Sequence, residues 1–333
     1  MILAYLAFGI LHTISPTDSR IVYVGRFDLS DGAGPTCEWS ASEVRLRVHG
    51  ASVVASIESD NPARWEIVLD GKDVGPLTLK KGKDQYTIDL GQIRDHDLSL
   101  VRREEAFMGV TRIEGFDVPG GSLLRARPKS RHIEVIGDSI TCGYGNEGKD
   151  QNEHFKPETE NAYMSYASIA ARELNADVTI IAWSGRKMWP NDTTPEIYDW
   201  ILPTKPAAAF DFKGPAPAAI VINLATNDFG RGAPDEMGWT VAYEAFIRRL
   251  WSHYPKAQIY MATGSMMYGD GLATVKRYLQ KISADLSDPR VHQIDFDVQK
   301  AENGYGSDWH PSVKTDGIMG RQLGETIKRD LHW

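Results

Sequence analysis

The chain has 333 residues, of which 42% are hydrophobic and 25% are charged, so it is globular and neither disordered nor fibrous. Its 45 acidic side chains outnumber its 37 Lys and Arg, and the net charge of −8 argues against a nucleic-acid partner. No stretch of about 18 apolar residues occurs, so we expect no membrane-spanning helix and no membrane partner.

The N-terminus is an apolar run from Met1 to Leu11. It resembles the hydrophobic part of a secretory signal peptide, although it has neither a basic start nor a clear cleavage site. The alternative is a first β-strand or a buried N-terminal arm. We therefore treat residues 1–15 as a possible signal peptide or arm. This pattern favours a secreted or periplasmic location over a cytoplasmic one.

Residues 16–127 have the pattern of an all-β domain. Short runs rich in Val, Ile, Leu and aromatic residues alternate with Gly, Asp and Pro, and no long helical period occurs. Many short strands at this spacing indicate a β-sandwich of the jelly-roll type. The predicted strands are Ile21–Val24, Val44–Val48, Val53–Ile57, Trp65–Leu69, Gln85–Leu90, Leu98–Val101 and Thr111–Val118.

Residues 128–333 follow a Gly- and Pro-containing linker and change to alternating strands and helices. This alternation predicts a parallel sheet with helices on both faces. The predicted strands are His132–Ile136, Asp177–Ala182, Ala218–Leu224, Gln258–Ala262 and Val291–Phe296. The predicted helices are Glu160–Leu174, Glu236–Tyr254, Leu272–Leu286 and Ser312–Leu331.

The strongest local feature is Gly137-Asp138-Ser139, directly after the first strand of the α/β domain. Ligand sites in parallel sheets form beyond the carboxyl ends of the strands. Gly137 permits a tight turn there, and Ser139 then begins a helix with an exposed hydroxyl. Such a hydroxyl serves as a nucleophile when a base lies within reach. The alternative is that Asp138 and Ser139 are helix caps.

Three later positions favour the catalytic interpretation. Gly185, after the second strand, can bring a backbone N–H to a bound carbonyl oxygen, and Asn227, after the third, can offer its amide. His310, before the last helix, is a candidate general base. Each also has a simpler interpretation, as a turn, a helix cap or a surface histidine. Their joint occurrence in this order at one sheet edge favours a common site.

These blocks resemble those of the SGNH (GDSL) hydrolases, and most closely carbohydrate esterase family 2. The resemblance extends over about residues 20–331 and implies the same two-part layout, a jelly roll followed by an SGNH domain. The matching segments are Val24–Phe27, Ile136–Gly148, Ser184–Arg186, Asn227–Asp228 and Asp308–Pro311.

The family resemblance implies acyl transfer to Ser139, with His310 as general base and then general acid. It implies an oxyanion hole of the Ser139 N–H, the Gly185 N–H and the Asn227 amide. The implied substrates are acetylated plant polysaccharides such as xylan and glucomannan, and we expect no cofactor or metal. The alternatives are another SGNH esterase, acting on small esters, lipids or peptidoglycan O-acetyl groups, and a non-catalytic carbohydrate-binding protein.

The third catalytic member has two candidates, a carboxylate and a backbone carbonyl. The wider group usually has Asp three residues before the catalytic His, where this chain has Ser307, and family 2 uses either an Asp two residues before it or a backbone carbonyl. In an extended segment, side chains i and i+2 share a face. We therefore predict that Asp308 orients His310, with a backbone carbonyl as the alternative.

Two tryptophans next to the site blocks, Trp189 and Trp309, are candidates for stacking on a sugar ring. The alternative is that they pack in the core or at its rim. The two cysteines, Cys37 and Cys142, form no disulfide or zinc pattern. Cys142 follows Ser139 by three residues and is a poor alternative nucleophile, since it should point inward.

Overall fold

The structure is a computed structural model and describes residues 14–333. The prediction of a signal peptide or arm over residues 1–15 therefore lies, except for Ile14 and Ser15, outside the described residues. Within the described part of the chain, no helix has both the length and the apolar character that a bilayer span requires.

The N-terminal part is a curled antiparallel sheet of eight strands. They are β1 (Val22–Val24), β2 (Thr36–Cys37), β3 (Glu43–Ser59), β4 (Ala63–Leu69), β5 (Lys72–Leu79), β6 (Gly82–Arg102), β7 (Thr111–Asp117) and β8 (Ser122–Leu124). The strand order is β2-β7-β3-β6-β4-β5, and both β1 and β8 pair with β3. The predicted all-β class of this part is confirmed.

Two predicted pairs of short strands are single long strands, and one of these pairs, Gln85–Leu90 and Leu98–Val101, lies in β6. The predicted Val44–Val48 and Val53–Ile57 both lie in β3, whose register with β6 shifts between Gly50 and Ser52. Such a bulge bends and twists a strand, so one strand follows the curl of the sheet. β5 was not predicted, because it is a largely exposed edge strand that contains Pro76 and lacks an apolar alternation.

The C-terminal part is a five-stranded parallel sheet, as predicted. Its strands are β9 (Arg131–Gly137), β10 (Ala176–Ala182), β11 (Ala219–Asn223), β12 (Gln258–Thr263) and β13 (Val291–Asp295). The helices are α1 (Ser139–Cys142), α2 (Tyr166–Glu173), α3 (Thr194–Ile197), α4 (Thr226–Phe229), α5 (Glu236–His253), α6 (Gly269–Leu286) and α7 (Val313–Leu331).

Helices cover both faces of the parallel sheet. The buried side chains of α5 and α6 pack on one face, and those of α2 and α7 on the other. The Asp235 carboxylate caps α5 by accepting the Gly238 N–H at 2.7 Å, and the helix buries an aromatic and aliphatic stripe, as its period predicts. The stripe consists of Trp239, Tyr243, Phe246, Ile247 and Leu250.

In the strand order β10-β9-β11-β12-β13, β10 lies on one side of β9, and the later strands are added on the other side. A sheet of this kind opens a crevice at the carboxyl ends of the strands where this change of side occurs. Gly137, at the end of β9, is paired with Asn223, at the end of β11. The segments that carry Ser139 and Asn227 therefore leave the sheet next to each other.

The two parts share buried side chains. Trp39 of the N-terminal part lies in the core under α5, and Ala41 and Val101 lie in the core under α2 and α7. Arg26 is also fully buried and forms an ion pair with Glu134 of β9 at 3.7 Å. The predicted boundary between residues 127 and 128 falls in the segment between β8 and β9.

Candidate active site

Ser139 begins α1 directly after β9, as predicted. A Cβ at Gly137 would lie 2.0 Å from Thr141 Oγ1, so only glycine fits at the end of this strand. The Asp138 carboxylate caps α1 by accepting the Ile140 N–H at 3.1 Å. Burial raises the pKa of Asp138 to about 7. Ser139 itself is 8% exposed and lies just beyond the carboxyl end of β9.

The structure brings Ser139 and His310 together. Nε2 of His310 lies 2.9 Å from Ser139 Oγ, and Nδ1 of the same ring lies 3.1 Å from the carbonyl oxygen of Ser307. Because a carbonyl only accepts, Nδ1 carries a proton, and Nε2 of the neutral ring is left to accept one from Ser139. Burial lowers the pKa of His310 and so favours this neutral form.

The predicted contact between Asp308 and His310 is not made: within residues 14–333, no hydrogen bond joins the Asp308 carboxylate to the imidazole, and the Ser307 carbonyl takes that place. The prediction assumed an extended segment. Instead, residues 307–309 form a 3-10 turn in which Asp308 and Trp309 have φ values of +51° and +66°. Two left-handed residues turn the i and i+2 side chains away from a common face.

Asp308 instead binds the residues that pack beside the imidazole. Its carboxylate accepts the Tyr144 O–H at 3.1 Å and the Phe155 N–H at 2.9 Å, and it lies 2.8 Å from His154 Nδ1. The Tyr144 ring packs against His310 in a tilted arrangement, with 4.2 Å between centroids, and stacks on Phe155 at 4.3 Å. The hydrogen bond from His154, followed by the other donors, holds the pKa of Asp308 below its usual value. Sequence reasoning assigned Tyr144 no role, although it lies in the quoted Ile136–Gly148 segment.

The two predicted oxyanion donors outside α1 lie on linked segments. Gly185 is exposed with a φ of +80°, in a turn closed by the Arg186 N–H on the Trp183 carbonyl at 3.2 Å. The Asn227 amide donates to the Arg186 carbonyl at 2.9 Å and lies 3.4 Å from an Asp138 carboxylate oxygen. Asn227 thus connects the Gly185 turn to the residue before Ser139.

Asp228, which sequence reasoning did not assign, holds the rest of this loop. Its carboxylate accepts the Met188 N–H at 3.0 Å, the Trp189 N–H at 2.9 Å and the Trp239 indole N–H at 2.9 Å. Burial raises the pKa of Asp228, while these donors oppose that rise. A carboxylate with three N–H partners fixes the backbone that leads from Gly185 to Trp189.

The two candidate sugar-binding tryptophans have different surroundings. Trp189 is partly buried against α5, since a Cβ at Gly238 would lie 2.6 Å from its ring. It lines a cleft of about 450 Å³ together with Gly185 and Asn227. Trp309 is 54% exposed, and its ring lies 5.1 Å from that of Tyr305. A larger cavity, of about 750 Å³, lies between the two sheets and includes none of the predicted site residues.

Two families match the chain in succession. Residues 23–128 match the carbohydrate esterase 2 N-terminal family, and residues 135–318 match the GDSL-like lipase/acylhydrolase family. The cellulase/esterase CelE of Acetivibrio thermocellus is 38% identical in an alignment of 324 positions that covers 94% of this chain and 40% of that protein. The chain therefore spans less than half the length of this relative.

Two further relatives are covered almost completely. An acetylxylan esterase/glucomannan deacetylase of Cellvibrio japonicus is 28% identical over 97% of this chain and 92% of its own length. A solved family two carbohydrate esterase from Clostridium thermocellum, in complex with cellohexaose, is 37% identical with a TM-score of 0.91. That comparison covers 94% of this chain and 99% of the other. Since both parts match in the same order and fold, the chain belongs to carbohydrate esterase family 2, a family of carboxylic ester hydrolases.

Proposed function

We propose that this chain removes O-acetyl groups from plant polysaccharides such as xylan and glucomannan through a covalent acetyl-serine. The observation that carries the proposal is the 2.9 Å contact of Ser139 Oγ with a His310 ring whose other nitrogen faces the Ser307 carbonyl. The name of the Cellvibrio relative and the cellohexaose complex of the Clostridium relative support an acetylated carbohydrate as substrate.

In the acylation step, His310 Nε2 takes the Ser139 proton as Oγ attacks the acetyl carbonyl carbon. The carbonyl oxygen becomes an oxyanion, which accepts hydrogen bonds from the Ser139 N–H, the Gly185 N–H and the Asn227 amide. The tetrahedral intermediate then collapses. His310 gives its proton to the departing sugar oxygen, and the acetyl group remains on Ser139.

In the deacylation step, a water molecule takes the place of the sugar. His310 Nε2 removes a proton from this water as it attacks the acetyl-serine, and the same three donors stabilise the second oxyanion. Collapse returns the proton to Ser139 Oγ and releases acetate. Throughout, the Nδ1–H bond to the Ser307 carbonyl keeps the ring oriented, and the Tyr144 ring packs against its face.

For the sugar, we assign Trp309 and Trp189 to binding. Trp309 offers an exposed aromatic face next to His310 in the chain, and Trp189 forms part of the cleft that Gly185 and Asn227 line. Aromatic faces suit the C–H surfaces of sugar rings because they combine large apolar area with few rotatable bonds.

The experiment is acetate release from acetylated xylan, acetylated glucomannan and an aryl acetate, with an aryl octanoate as the lipid-like comparison. We expect activity on the three acetates and little on the octanoate. The Ser139→Ala variant should lose at least about three orders of magnitude, while Ser122→Ala, at an exposed serine of β8, serves as the matched control. An active Ser139→Ala protein overturns the mechanism, and activity confined to the octanoate overturns the substrate.

A further inference from the structure

Glu105, a residue of the N-terminal part, is buried against the turn that carries Gly185. It follows β6 in the chain and is 0% exposed. One of its carboxylate oxygens accepts the Ser184 N–H at 2.7 Å, and the other accepts the Ser184 O–H at 2.5 Å. Both donors of the residue before Gly185 are therefore bound to a single carboxylate from the N-terminal part.

The turn that Glu105 holds has two possible orientations for its central peptide. With an Arg186 N–H to Trp183 carbonyl bond of 3.2 Å and a Gly185 φ of +80°, the segment has the form of a type II turn. Its central peptide joins Ser184 to Gly185 and carries the Gly185 N–H. Rotation of that peptide gives a type I turn and points the N–H the opposite way. That peptide begins at Ser184, and the two bonds to Glu105 hold the backbone N–H and the hydroxyl of this residue in place.

Burial raises the pKa of Glu105, and the two hydrogen bonds from Ser184 oppose that rise because they favour the carboxylate. The neighbouring Glu160 decides which of the two carboxyl groups carries the charge. Side-chain ligand atoms of Glu105, Glu160 and Cys142 all lie within 4.8 Å of one another, and all three residues are fully buried. Two carboxyl groups this close do not both ionise, so one of them holds a proton.

The hydrogen bonds assign that proton to Glu160. Glu105 receives the two Ser184 donors and the Cys142 S–H at 3.7 Å, whereas Glu160 accepts the Glu105 N–H at 3.3 Å and its Oε1 has no hydrogen-bond partner in the described chain. Burial, and then the charge of Glu105, raise the pKa of Glu160 well above its usual value. Glu160 is thus the neutral acid, and Glu105 is the carboxylate.

We propose that Glu105 is a positioning residue for the oxyanion hole: it fixes the Ser184–Gly185 peptide so that the Gly185 N–H faces the reacting carbonyl. The inference rests on the proposed oxyanion role of Gly185. In this role, the N-terminal part contributes a residue that positions an oxyanion donor of the C-terminal part. Since the oxyanion exists only in the transition state and the intermediates, loss of the two bonds to Ser184 should lower kcat and leave KM nearly unchanged.

The test compares two isosteric variants, Glu105→Gln and Glu160→Gln, on an aryl acetate. In Glu105→Gln, one carboxylate oxygen becomes an NH₂ group, which cannot accept a Ser184 donor, and we expect kcat to fall about tenfold to a hundredfold. In Glu160→Gln, the amide oxygen still accepts the Glu105 N–H, and the amide is neutral, as the protonated acid is. We expect this matched control to keep wild-type kcat and KM.

A second readout separates positioning from general loss of structure. The affinity for a small boronic acid, which forms a tetrahedral adduct on the serine, should fall in Glu105→Gln in step with kcat/KM while the thermal midpoint changes no more than in Glu160→Gln. Equal kcat in the two variants, or a change in KM alone, overturns the inference. If Ser139→Ala is inactive and Glu105→Gln is fully active, only this inference fails; if Ser139→Ala is active, the proposed function fails first.

Discussion

His310 Nδ1 lies 3.1 Å from the carbonyl oxygen of Ser307, three residues earlier in the same chain. That carbonyl also accepts the backbone N–H of His310 at 3.0 Å. The backbone therefore orients the imidazole where many Ser–His hydrolases use a carboxylate. A backbone carbonyl cannot be removed by changing a side chain. Replacement of the nearby carboxylate of Asp308 should therefore have little effect on the rate.

Asp308→Asn tests this directly. We expect kcat/KM on an aryl acetate to fall by less than about tenfold, in contrast to the ~10⁴-fold loss when a triad carboxylate becomes an amide. Asn tolerates the left-handed backbone that Asp308 adopts, at a φ of +51°, so the turn should survive. His310→Ala, which removes the base itself, is the control for full loss. A loss in Asp308→Asn as large as that of His310→Ala contradicts the assignment to the Ser307 carbonyl.

The pH dependence of the rate should report His310. The base must be neutral, so activity is present above its pKa and is lost as the pH falls through it. Burial lowers this pKa, so we expect the acid limb of kcat/KM below the usual histidine range. The charge of Asp308 opposes the shift, and Asp308→Asn should therefore move the limb to still lower pH. An acid limb that moves to higher pH in Asp308→Asn would contradict the claim that the charge of Asp308 raises the pKa of His310.

Asn227 should matter through its amide hydrogens. Asn227→Ala is expected to lower kcat by about a hundredfold or more with a small change in KM, the effect of losing one oxyanion donor. Asn227→Asp should be worse than Ala, because a second carboxylate would lie where the amide is 3.4 Å from Asp138 and would face the developing oxyanion. Steady-state kinetics on an aryl acetate give both values. Equal losses in the two variants would mean that Asn227 only shapes the loop.

Alanine substitution of the two tryptophans should affect a polysaccharide substrate and an aryl acetate differently. Trp309 is exposed, so Trp309→Ala should raise KM for acetylated glucomannan several-fold and leave an aryl acetate unaffected. Trp189 lines the cleft and also packs on Gly238 of α5, so Trp189→Ala should raise KM for acetylated glucomannan, lower activity on the aryl acetate as well, and lower the thermal midpoint. If Trp309→Ala impairs both substrates equally, its role is in the catalytic turn and not in sugar binding.

Features with a strong local pattern could be predicted from the sequence. The helix predicted over Glu236–Tyr254 is α5 (Glu236–His253), since its buried stripe has a clear helical period. The run Ala218–Leu224, which is apolar except for Asn223, contains the buried strand β11 (Ala219–Asn223). Gly137, whose Cβ position is blocked by Thr141, marks the turn before Ser139. In each case, the residues that determine the structure are neighbours in the chain.

The remaining features depend on groups that a linear pattern does not show. The partner of His310 is a backbone carbonyl, a group that every residue type has, so the identity of Ser307 does not reveal it. The left-handed backbone of Asp308 and Trp309 occurs at non-glycine residues, which do not indicate this conformation in a sequence. Glu105 meets Ser184 only after two domains have packed, across 79 positions of the chain. The sequence does not distinguish a buried glutamate from an exposed one, so the role of Glu105 can be recognised only from its contacts in the structure.

The buried ion pair between the two parts yields a stability prediction. Arg26 and Glu134 have side chains that are 0% and 1% exposed and lie 3.7 Å apart, and the Arg26 guanidinium stacks over the Tyr198 and Phe210 rings, each at 4.6 Å. Arg26→Met should destabilise the protein by about 3–5 kcal/mol, because it leaves the Glu134 carboxylate buried without its cation. The urea midpoint of unfolding measures this loss.

Two further variants separate charge from packing. Arg26→Lys keeps the charge but not the planar stacking, so it should cost less than Arg26→Met. Adding Glu134→Gln to Arg26→Met should recover part of the loss, because the uncompensated charge is then removed while the side-chain carbonyl still accepts the Tyr198 O–H, now at 2.6 Å. If the double variant is less stable than Arg26→Met by the full cost of Glu134→Gln alone, the pair is not coupled. The link between the two parts would then depend on the apolar contacts of Trp39, Ala41 and Val101 instead.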